Sequence, residues 1–335
     1  MKHVIVILLY ALSLPFNATE SVAEQVVALD PVARFHPVIA EKGVAVSQEA
    51  IASQVGADIL GAGGNAVDAA VATGFALAVT LPRAGNIGGG GFMLVHLADK
   101  NKTIAIDYRE MAPAAASRDM FLDPEGDVDS VKARHSVHSS GVPGTVAGMI
   151  YALENYGTMS LKQVMQPAID LAKKGFPVSP ELASSLVRYS DYLTKDSSSS
   201  SYFYKRDGEF YRAAELLVQK DLADTLKRIS KNGRDGFYRG KTADLLVAQM
   251  RRNGGIISHK DLLSYKVIER QPVCGQYRSN KVCAMPPPSS GGVHLIQMLN
   301  ILEGWDLNAL GHNSAAYLHR LVESMRRAYA DRSLH

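Results

Sequence analysis

Arg109 is the first residue whose type and position suggest chemistry. It follows an alternating run at residues 103–108, and a guanidinium displayed at a strand end can hold a carboxylate through two parallel hydrogen bonds. Periodicity alone favours a simpler interpretation, in which Arg109 is a surface arginine paired with Asp107 or Glu110. On the residues alone, both interpretations stay open.

Ser289 and Ser290 are the second candidates, in the stretch MPPPSSGGVH at residues 285–294. A serine nucleophile needs a base and oxyanion donors, and its usual strand–turn–helix signature is G-x-S-x-G. Here the order is P-S-S-G-G after three prolines, and either hydroxyl could instead accept backbone N–H bonds at a helix start. The pattern favours a helix cap, or a loop that lines a pocket, over a nucleophile.

Two glycine-rich stretches resemble nucleotide-binding motifs without fitting them. Residues 61–66 match G-x-G-x-x-A, but they follow a helix pattern rather than a strand, and no acidic residue stands about 20 positions downstream. We interpret them as a break between two helices. The glycines at 88–91 lack the Lys-Ser/Thr of a P-loop, so they predict backbone that approaches another segment closely. With no metal-type histidine spacing, the sequence predicts no cofactor and no metal.

Cys274 and Cys283 could form a disulfide. If Arg278 and Ser279 make a two-residue hairpin turn, the two cysteines lie directly opposite each other on paired strands. Neither turn residue favours the positive φ of such a turn, so the register stays open. Two buried free thiols are the alternative.

Apolar patterns predict the elements that must position these residues. A short strand at 43–46 precedes a helix that Ser47 caps, and Asn65 caps a second helix ending near Pro82. Strands at 92–97 and 103–108 form a hairpin that places Arg109 on its more polar face. Further segments are a mostly helical region at 144–255 (with clear helical spacing at 217–229), strands at 267–274 and 281–285, and helices at 290–302 and 314–330.

The N-terminus predicts export. A short basic start, an apolar run at residues 4–14 and small residues at 21–23 are typical of a secretory signal, because so short a run cannot cross a bilayer, which needs about 20 residues. We predict a cleaved signal peptide at 1–23, with a retained anchor as the alternative. Residues 24–335 then form one exported domain, periplasmic or secreted.

The charge pattern argues against a nucleic-acid partner. The net charge of +3 comes from 36 basic and 33 acidic residues scattered along the chain, and no block of Lys and Arg alternates with aromatic residues. Apolar content of 47% is ordinary for a globular protein, so disorder is not indicated.

Several motifs together resemble the γ-glutamyltranspeptidases, also called glutathione hydrolases. DYREMAP and MPPPSSGG are the most specific, and the likeness runs in order from about residue 44 to residue 333. The matching stretches are GNIGGGGFM (85–93), DYREMAP (107–113), SGVPGTVAG (140–148), YGTMSL (156–161), GFYRG (236–240), MPPPSSGGVH (285–294) and YADRS (329–333).

The resemblance implies a fold, an activity and a role for Arg109. The family has the α+β Ntn-hydrolase fold, two stacked sheets between helical layers (αββα), and its precursor cuts itself into a large and a small subunit. The N-terminal threonine of the small subunit is nucleophile and base, and takes the γ-glutamyl group from glutathione or another γ-glutamyl compound. By this likeness Arg109 holds the α-carboxylate of that group, and Ser289 and Ser290 are structural.

The resemblance also predicts what lies outside this chain. Residues 24–335 match the large-subunit region, incomplete at its C-terminus, and the threonine-led small subunit has no counterpart before His335. The chain alone is therefore expected to have no catalytic residue and no turnover. Nor should it fold well alone, because sheet edges that pair with the small subunit would be left open. The alternative is a natural truncated, non-catalytic remnant or a γ-glutamyl-binding protein.

Overall fold

The computed structural model of the protein describes residues 39–205 and 207–334. Contacts divide the chain at Glu41, and the elements below all belong to the unit Lys42–His335. The predicted signal peptide at 1–23 lies outside the described residues. Among the helices in the described ranges, none combines the length and the apolar character that crossing a membrane requires.

Helices predominate over strands in this unit. The helices are α1 (Ala50–Gly61), α2 (Ala66–Thr80), α3 (Ser130–His135), α4 (Thr145–Tyr156), α5 (Leu161–Lys174), α6 (Pro180–Arg188), α7 (Ser190–Leu193), α8 (Ser197–Phe203), α9 (Lys220–Asn232), α10 (Asp235–Tyr238), α11 (Gly240–Arg252), α12 (His259–Ser264), α13 (Gly291–Leu302), α14 (Leu307–Leu310) and α15 (Ala315–Leu334). The strands are β1 (Phe92–Leu97), β2 (Lys102–Asp107), β3 (Phe176–Pro177), β4 (Leu216–Leu217), β5 (Ile268–Arg270), β6 (Val273–Tyr277) and β7 (Asn280–Ala284).

The turn between α1 and α2 confirms that residues 61–66 separate two helices. Gly63 adopts a φ of +91°, a conformation that glycine reaches without a Cβ clash. The Asn65 side chain accepts hydrogen bonds from the backbone N–H groups of Val67 and Asp68, and the Asp68 carboxylate accepts one from Asn65 N–H. This reciprocal capping fixes the start of α2, whose side chains lie at the centre of the core.

Two predictions just before α1 are wrong. Residues 43–46 form no strand, and both valines of that segment are exposed. Helix α1 begins after Glu49, not after Ser47. The Ser47 hydroxyl bonds instead to Glu49 O and to the Ser53 hydroxyl, so it links the segment before the helix to the first turn of α1.

The buried Asp68 carboxylate joins α2 to the link between α4 and α5. It is 0% exposed, yet within residues 39–205 and 207–334 its hydrogen-bond partners include no cation. Besides Asn65 N–H, it accepts bonds from Thr158 N–H, the Thr158 hydroxyl and Met159 N–H at 2.6–3.0 Å. Four donor groups therefore replace the water that this charge loses on burial.

The main sheet has the order β1–β2–β5 and is antiparallel throughout. Phe92 pairs with Asp107 and Leu97 with Lys102, which confirms the predicted hairpin with its second strand one residue earlier. Strand β2 is central and buried on both faces from Ile104 to Asp107. On the face predicted to be the more polar one, Asp107 is buried and its carboxylate is paired inside the protein.

The helical region follows the prediction closely. Helices α4 to α11 occupy the stretch predicted at 144–255, with breaks at Gly157, Gly175 and Gly233. In α9, Ala223, Leu226 and Ile229 are buried at helical spacing. The helix predicted from residue 217 starts at Lys220 instead, since residues 216–217 pair with β3.

The predicted strand at 267–274 is interrupted, and its second part forms a separate hairpin. Pro272 lies between β5 and β6 and has no N–H for a ladder. Strands β6 and β7 pair with Tyr277 opposite Asn280, which leaves Arg278 and Ser279 as the turn. The predicted register is confirmed, and Arg278 takes the positive φ (+54°) that such a turn needs.

Cys274 pairs directly with Cys283 in this hairpin, and the structure joins their sulfurs in a disulfide. We expect its reduction to lower the free energy of unfolding by about 2 kcal/mol, because the bond closes a short loop in the unfolded chain. Urea unfolding with and without reductant measures this effect, and a Cys274→Ser/Cys283→Ser variant, which reductant should not affect, is the control. The chain has two cysteines, so two free thiols in the oxidised protein would contradict the bond.

Candidate functional site

Arg109 lies directly beyond the end of β2. Tyr108 exchanges two backbone hydrogen bonds with Gly91, at 3.0 and 3.2 Å, and this pair extends the hairpin by one residue beyond β1 and β2. Arg109 is exposed, while Tyr108 before it is buried. The strand pairing therefore fixes the backbone before Arg109 in the core, while the Arg109 side chain lies at the surface.

The peptide groups on both sides of the Arg109 Cα are bonded to buried side chains. The Arg109 N–H donates to Asp107 Oδ1 at 3.1 Å, and the Arg109 carbonyl accepts a hydrogen bond from the Tyr265 hydroxyl at 2.9 Å. Asp107 and Tyr265 are 6% and 2% exposed. The backbone of Arg109 is therefore fixed on both sides of its Cα.

The guanidinium of Arg109 does not form the surface ion pair that periodicity alone favoured. Asp107 is paired instead with Arg270 of β5, whose Nε lies 2.8 Å from Asp107 Oδ2. Within the described ranges no carboxylate lies within 4.0 Å of the Arg109 guanidinium; its one hydrogen bond runs from Nη1 to Pro288 O at 3.3 Å. The remaining donors of this planar group are available to a carboxylate ligand.

The glycine run at 88–91 approaches the Arg109 segment, as predicted. A Cβ on Gly90 would lie 2.6 Å from Tyr108 O and 2.7 Å from Glu110 N, closer than real Cβ contacts allow. Gly89 O also accepts hydrogen bonds from the N–H groups of Gly144 and Thr145 at the start of α4. The glycines therefore bring three segments together behind Arg109, which is a packing role rather than a phosphate cradle.

Ser289 and Ser290 lie beside Pro288 but have no catalytic arrangement. The Ser289 hydroxyl accepts a hydrogen bond from Gly291 N–H at 3.3 Å, so the cap prediction is confirmed for this residue. Ser290 precedes α13 without a capping bond from its side chain, so for Ser290 the cap prediction is wrong. In the part of the chain that the structure describes, neither hydroxyl bonds to a histidine or carboxylate side chain; His294 Nδ1 contacts the Ser290 carbonyl instead.

Tyr265 and Arg270 are the site residues that the sequence did not reveal. Burial raises the pKa of the Tyr265 phenol, with Tyr238, Asp107 and Glu110 adding to the shift, so the hydroxyl stays protonated and donates at neutral pH. Arg270 could have been noticed in the sequence, because a charged residue inside a predicted strand indicates a possible ion pair. Its partner, however, depends on the pairing of β5 with β2, which no local pattern predicts.

No metal centre adjoins this site in the described residues. Residues 39–205 and 207–334 contain no group of three or more His, Cys, Asp or Glu side chains placed to hold an ion. The chemistry that the geometry offers is recognition of an anion by a fixed guanidinium.

The comparisons with known proteins agree on one family. The sequence model of the family described as Gamma-glutamyltranspeptidase matches residues 52–335. A glutathione hydrolase proenzyme of Escherichia coli strain K12 is 51% identical over 299 residues, which cover 89% of this chain and 51% of that protein. The chain spans about half the length of the curated relatives it matches.

Two solved structures share the architecture. The crystal structure of Helicobacter pylori gamma-glutamyltranspeptidase matches with a TM-score of 0.87 and 48% identity, covering 89% of this chain and 85% of that chain. A gamma-glutamyltranspeptidase from Pseudomonas nitroreducens, complexed with L-DON, matches with a TM-score of 0.82 and 39% identity, covering 88% of this chain and 87% of that one.

Proposed function

This chain belongs to the γ-glutamyltranspeptidase family, and we propose that it binds the γ-glutamyl group of glutathione and related compounds, for transfer to water or to an amino acid. Its fold is the α+β Ntn-hydrolase fold of its structural neighbours, as predicted. The observation that carries the proposal is the exposed Arg109 guanidinium, fixed at its backbone and without an ion-pair partner among the described residues. Arg109 holds the α-carboxylate of the ligand through paired hydrogen bonds.

The nucleophile in this proposal is an N-terminal threonine supplied from outside residues 1–335. Its amine takes the hydroxyl proton, the oxygen attacks the γ-carbonyl, and the acyl-enzyme passes the γ-glutamyl group to water or an amine. In support, the hydroxyls of Ser289 and Ser290, which follow the Pro288 carbonyl that Arg109 contacts, bond to no histidine or carboxylate side chain in the described residues. By resemblance, the threonine begins the small subunit released when the precursor cuts itself.

An apolar surface supports a second polypeptide as the partner. Helices α13 and α15 pack together and direct large apolar side chains outward, each 38–56% exposed. These side chains are Val293, Leu295, Leu318, Val322, Met325 and Tyr329. Large apolar side chains exposed in such number on two packed helices are consistent with an interface. In the described sheet, β1 and β5 are edge strands, which offers further pairing positions.

We also propose that the protein is exported from the cytoplasm. The leader pattern at residues 1–23 supports a cleaved signal peptide, and the Cys274–Cys283 bond suits an oxidising compartment such as the periplasm. The mature protein would then meet its γ-glutamyl substrates outside the cytoplasm.

The test is cleavage of γ-glutamyl-p-nitroanilide by this chain with and without a threonine-led small subunit produced separately. We expect no release of nitroaniline from the chain alone, and measurable release once the subunit is added. A subunit with its first threonine changed to alanine is the control, since it keeps the interface and loses the nucleophile. If subunits that activate a homologous large subunit fail with this chain, it is instead a γ-glutamyl-binding protein or a non-catalytic remnant.

A further inference from the structure

We propose that Tyr265 is a positioning residue for substrate recognition, because its hydroxyl fixes the peptide from which the Arg109 side chain leaves the core. The inference rests on the proposed function, in which Arg109 binds the α-carboxylate. Tyr265 itself does not touch the ligand: it is 2% exposed and acts through the Arg109 carbonyl.

The bonds around Arg109 determine where its side chain points. Asp107 holds the N–H before the Arg109 Cα, and Tyr265 holds the C=O after it. With both peptide planes fixed, the direction of the Cα–Cβ bond is fixed as well. Beyond Cβ, the described residues supply one hydrogen bond, from the guanidinium to Pro288 O at 3.3 Å. Most of the order in this flexible side chain therefore starts at its backbone.

Tyr265 is held firmly enough to serve as such a support. Its ring stacks on Tyr238 with centroids 5.8 Å apart and planes 11° from parallel. The Tyr238 hydroxyl donates to Pro143 O at 2.8 Å, and Arg234 binds the Tyr265 carbonyl while its guanidinium lies over the Tyr238 ring. The phenol is thus fixed through its ring and its own backbone.

Gly144 leaves the space through which the Tyr265 hydroxyl reaches Arg109. A Cβ at Gly144 would lie 2.1 Å from the Tyr265 hydroxyl and 2.0 Å from Tyr108 O. Its backbone is not in the left-handed region, so the need for glycine here is one of space. The motif SGVPGTVAG therefore contributes to the arginine site from a distant part of the sequence.

The expected consequence is a selective loss of carboxylate binding. Without the hydroxyl of Tyr265, the Arg109 carbonyl loses a buried partner and the segment gains freedom, so the guanidinium must be ordered when the ligand binds. The acyl-transfer groups lie elsewhere, so the chemical step should be unaffected. Tyr265→Phe should raise KM for γ-glutamyl-p-nitroanilide about fivefold, with kcat within about twofold.

The experiment uses the chain assembled with its small subunit. Tyr204→Phe is the matched control, because Tyr204 is also buried and its hydroxyl donates to a backbone carbonyl, Leu186 O, at 2.7 Å. The Tyr204→Phe protein should lose about as much stability as Tyr265→Phe and have the same KM as wild type. The second readout uses 4-aminobutanoyl-p-nitroanilide, which is γ-glutamyl-p-nitroanilide without its α-carboxylate. On this substrate the wild-type and Tyr265→Phe proteins should have equal kcat/KM.

Each outcome decides a different question. If Arg109→Gln raises KM and Tyr265→Phe does not, the role of Tyr265 is refuted while the proposed function stands. If Arg109→Gln itself leaves KM unchanged, the carboxylate role of Arg109 fails. An equal loss of kcat/KM on both substrates would show a general structural effect and overturn the inference. Should Tyr265→Phe not fold, Arg234→Gln, at a half-buried side chain, should raise KM about twofold.

Discussion

Replacing Arg109 with glutamine is expected to raise KM for γ-glutamyl-p-nitroanilide about 100-fold in the assembled enzyme. A charged, paired contact to a carboxylate is lost, which corresponds to about 2.7 kcal/mol of binding free energy. The fold should be unaffected, because the residue is exposed and its guanidinium makes one hydrogen bond, at 3.3 Å, within the described chain. Steady-state kinetics over a wide substrate range measures the change.

Arg109→Lys and Arg83→Gln show whether geometry or charge matters. A lysine keeps the charge but not the planar pair of donors, so we expect a KM about tenfold above wild type. Arg83 is a partly exposed arginine paired with Glu181 at 3.0 Å, and its removal should leave KM unchanged. Similar KM values for Arg109→Lys and wild type would contradict a bidentate contact.

Replacing Asp68 with alanine is expected to lower the free energy of unfolding by about 4 kcal/mol. The substitution leaves donor groups of Asn65, Thr158 and Met159 buried without their acceptor. Urea unfolding monitored by circular dichroism gives the difference. Asp170→Asn, at an exposed carboxylate that pairs with Lys174, should change stability by less than about 0.5 kcal/mol. Equal effects at the two positions would show that the buried network contributes little.

The Asp68 carboxylate also predicts that the free energy of unfolding depends on pH. Burial by itself would raise the pKa of Asp68, but the hydrogen bonds from Thr158, Met159 and Asn65 outweigh it and hold the pKa below its ordinary value of 3.8. The native state therefore binds the proton less readily than the unfolded state does. The stabilisation is complete above pH 3.8 and is lost as the pH falls through the lower native pKa. The stability difference between wild type and Asp68→Ala should shrink in that window.

Local patterns predicted most of the elements. The capping pair Asn65 and Asp68, the hairpin that leads to Arg109 and the spacing of apolar residues in α9 all follow from short-range rules. The strand predicted at 43–46 is absent, because a short apolar run forms a strand only where a neighbouring strand pairs with it. Among the described residues, none pairs with it.

The candidate site was harder to predict than the fold. The sequence singled out Arg109 and the glycines beside it. It could not show that Asp107 would form an ion pair with Arg270, or that the Tyr265 hydroxyl would donate a hydrogen bond to the Arg109 carbonyl. These partners are decided by which strands and helices meet, whereas periodicity describes one element at a time. The burial of Asp107 depends on the same pairing of β2 with β5.

The contacts of Arg109 also determine when this site can form during folding. Its bonds to Tyr265 and Pro288 close loops of 156 and 179 residues. Contacts this distant in sequence form late, because the entropy of closing the loop must be overcome before the contact contributes. We therefore expect the hairpin and the helices to form while the arginine is still unsupported. Ligand recognition would then be acquired at the end of folding, and partly folded chains would not retain γ-glutamyl compounds.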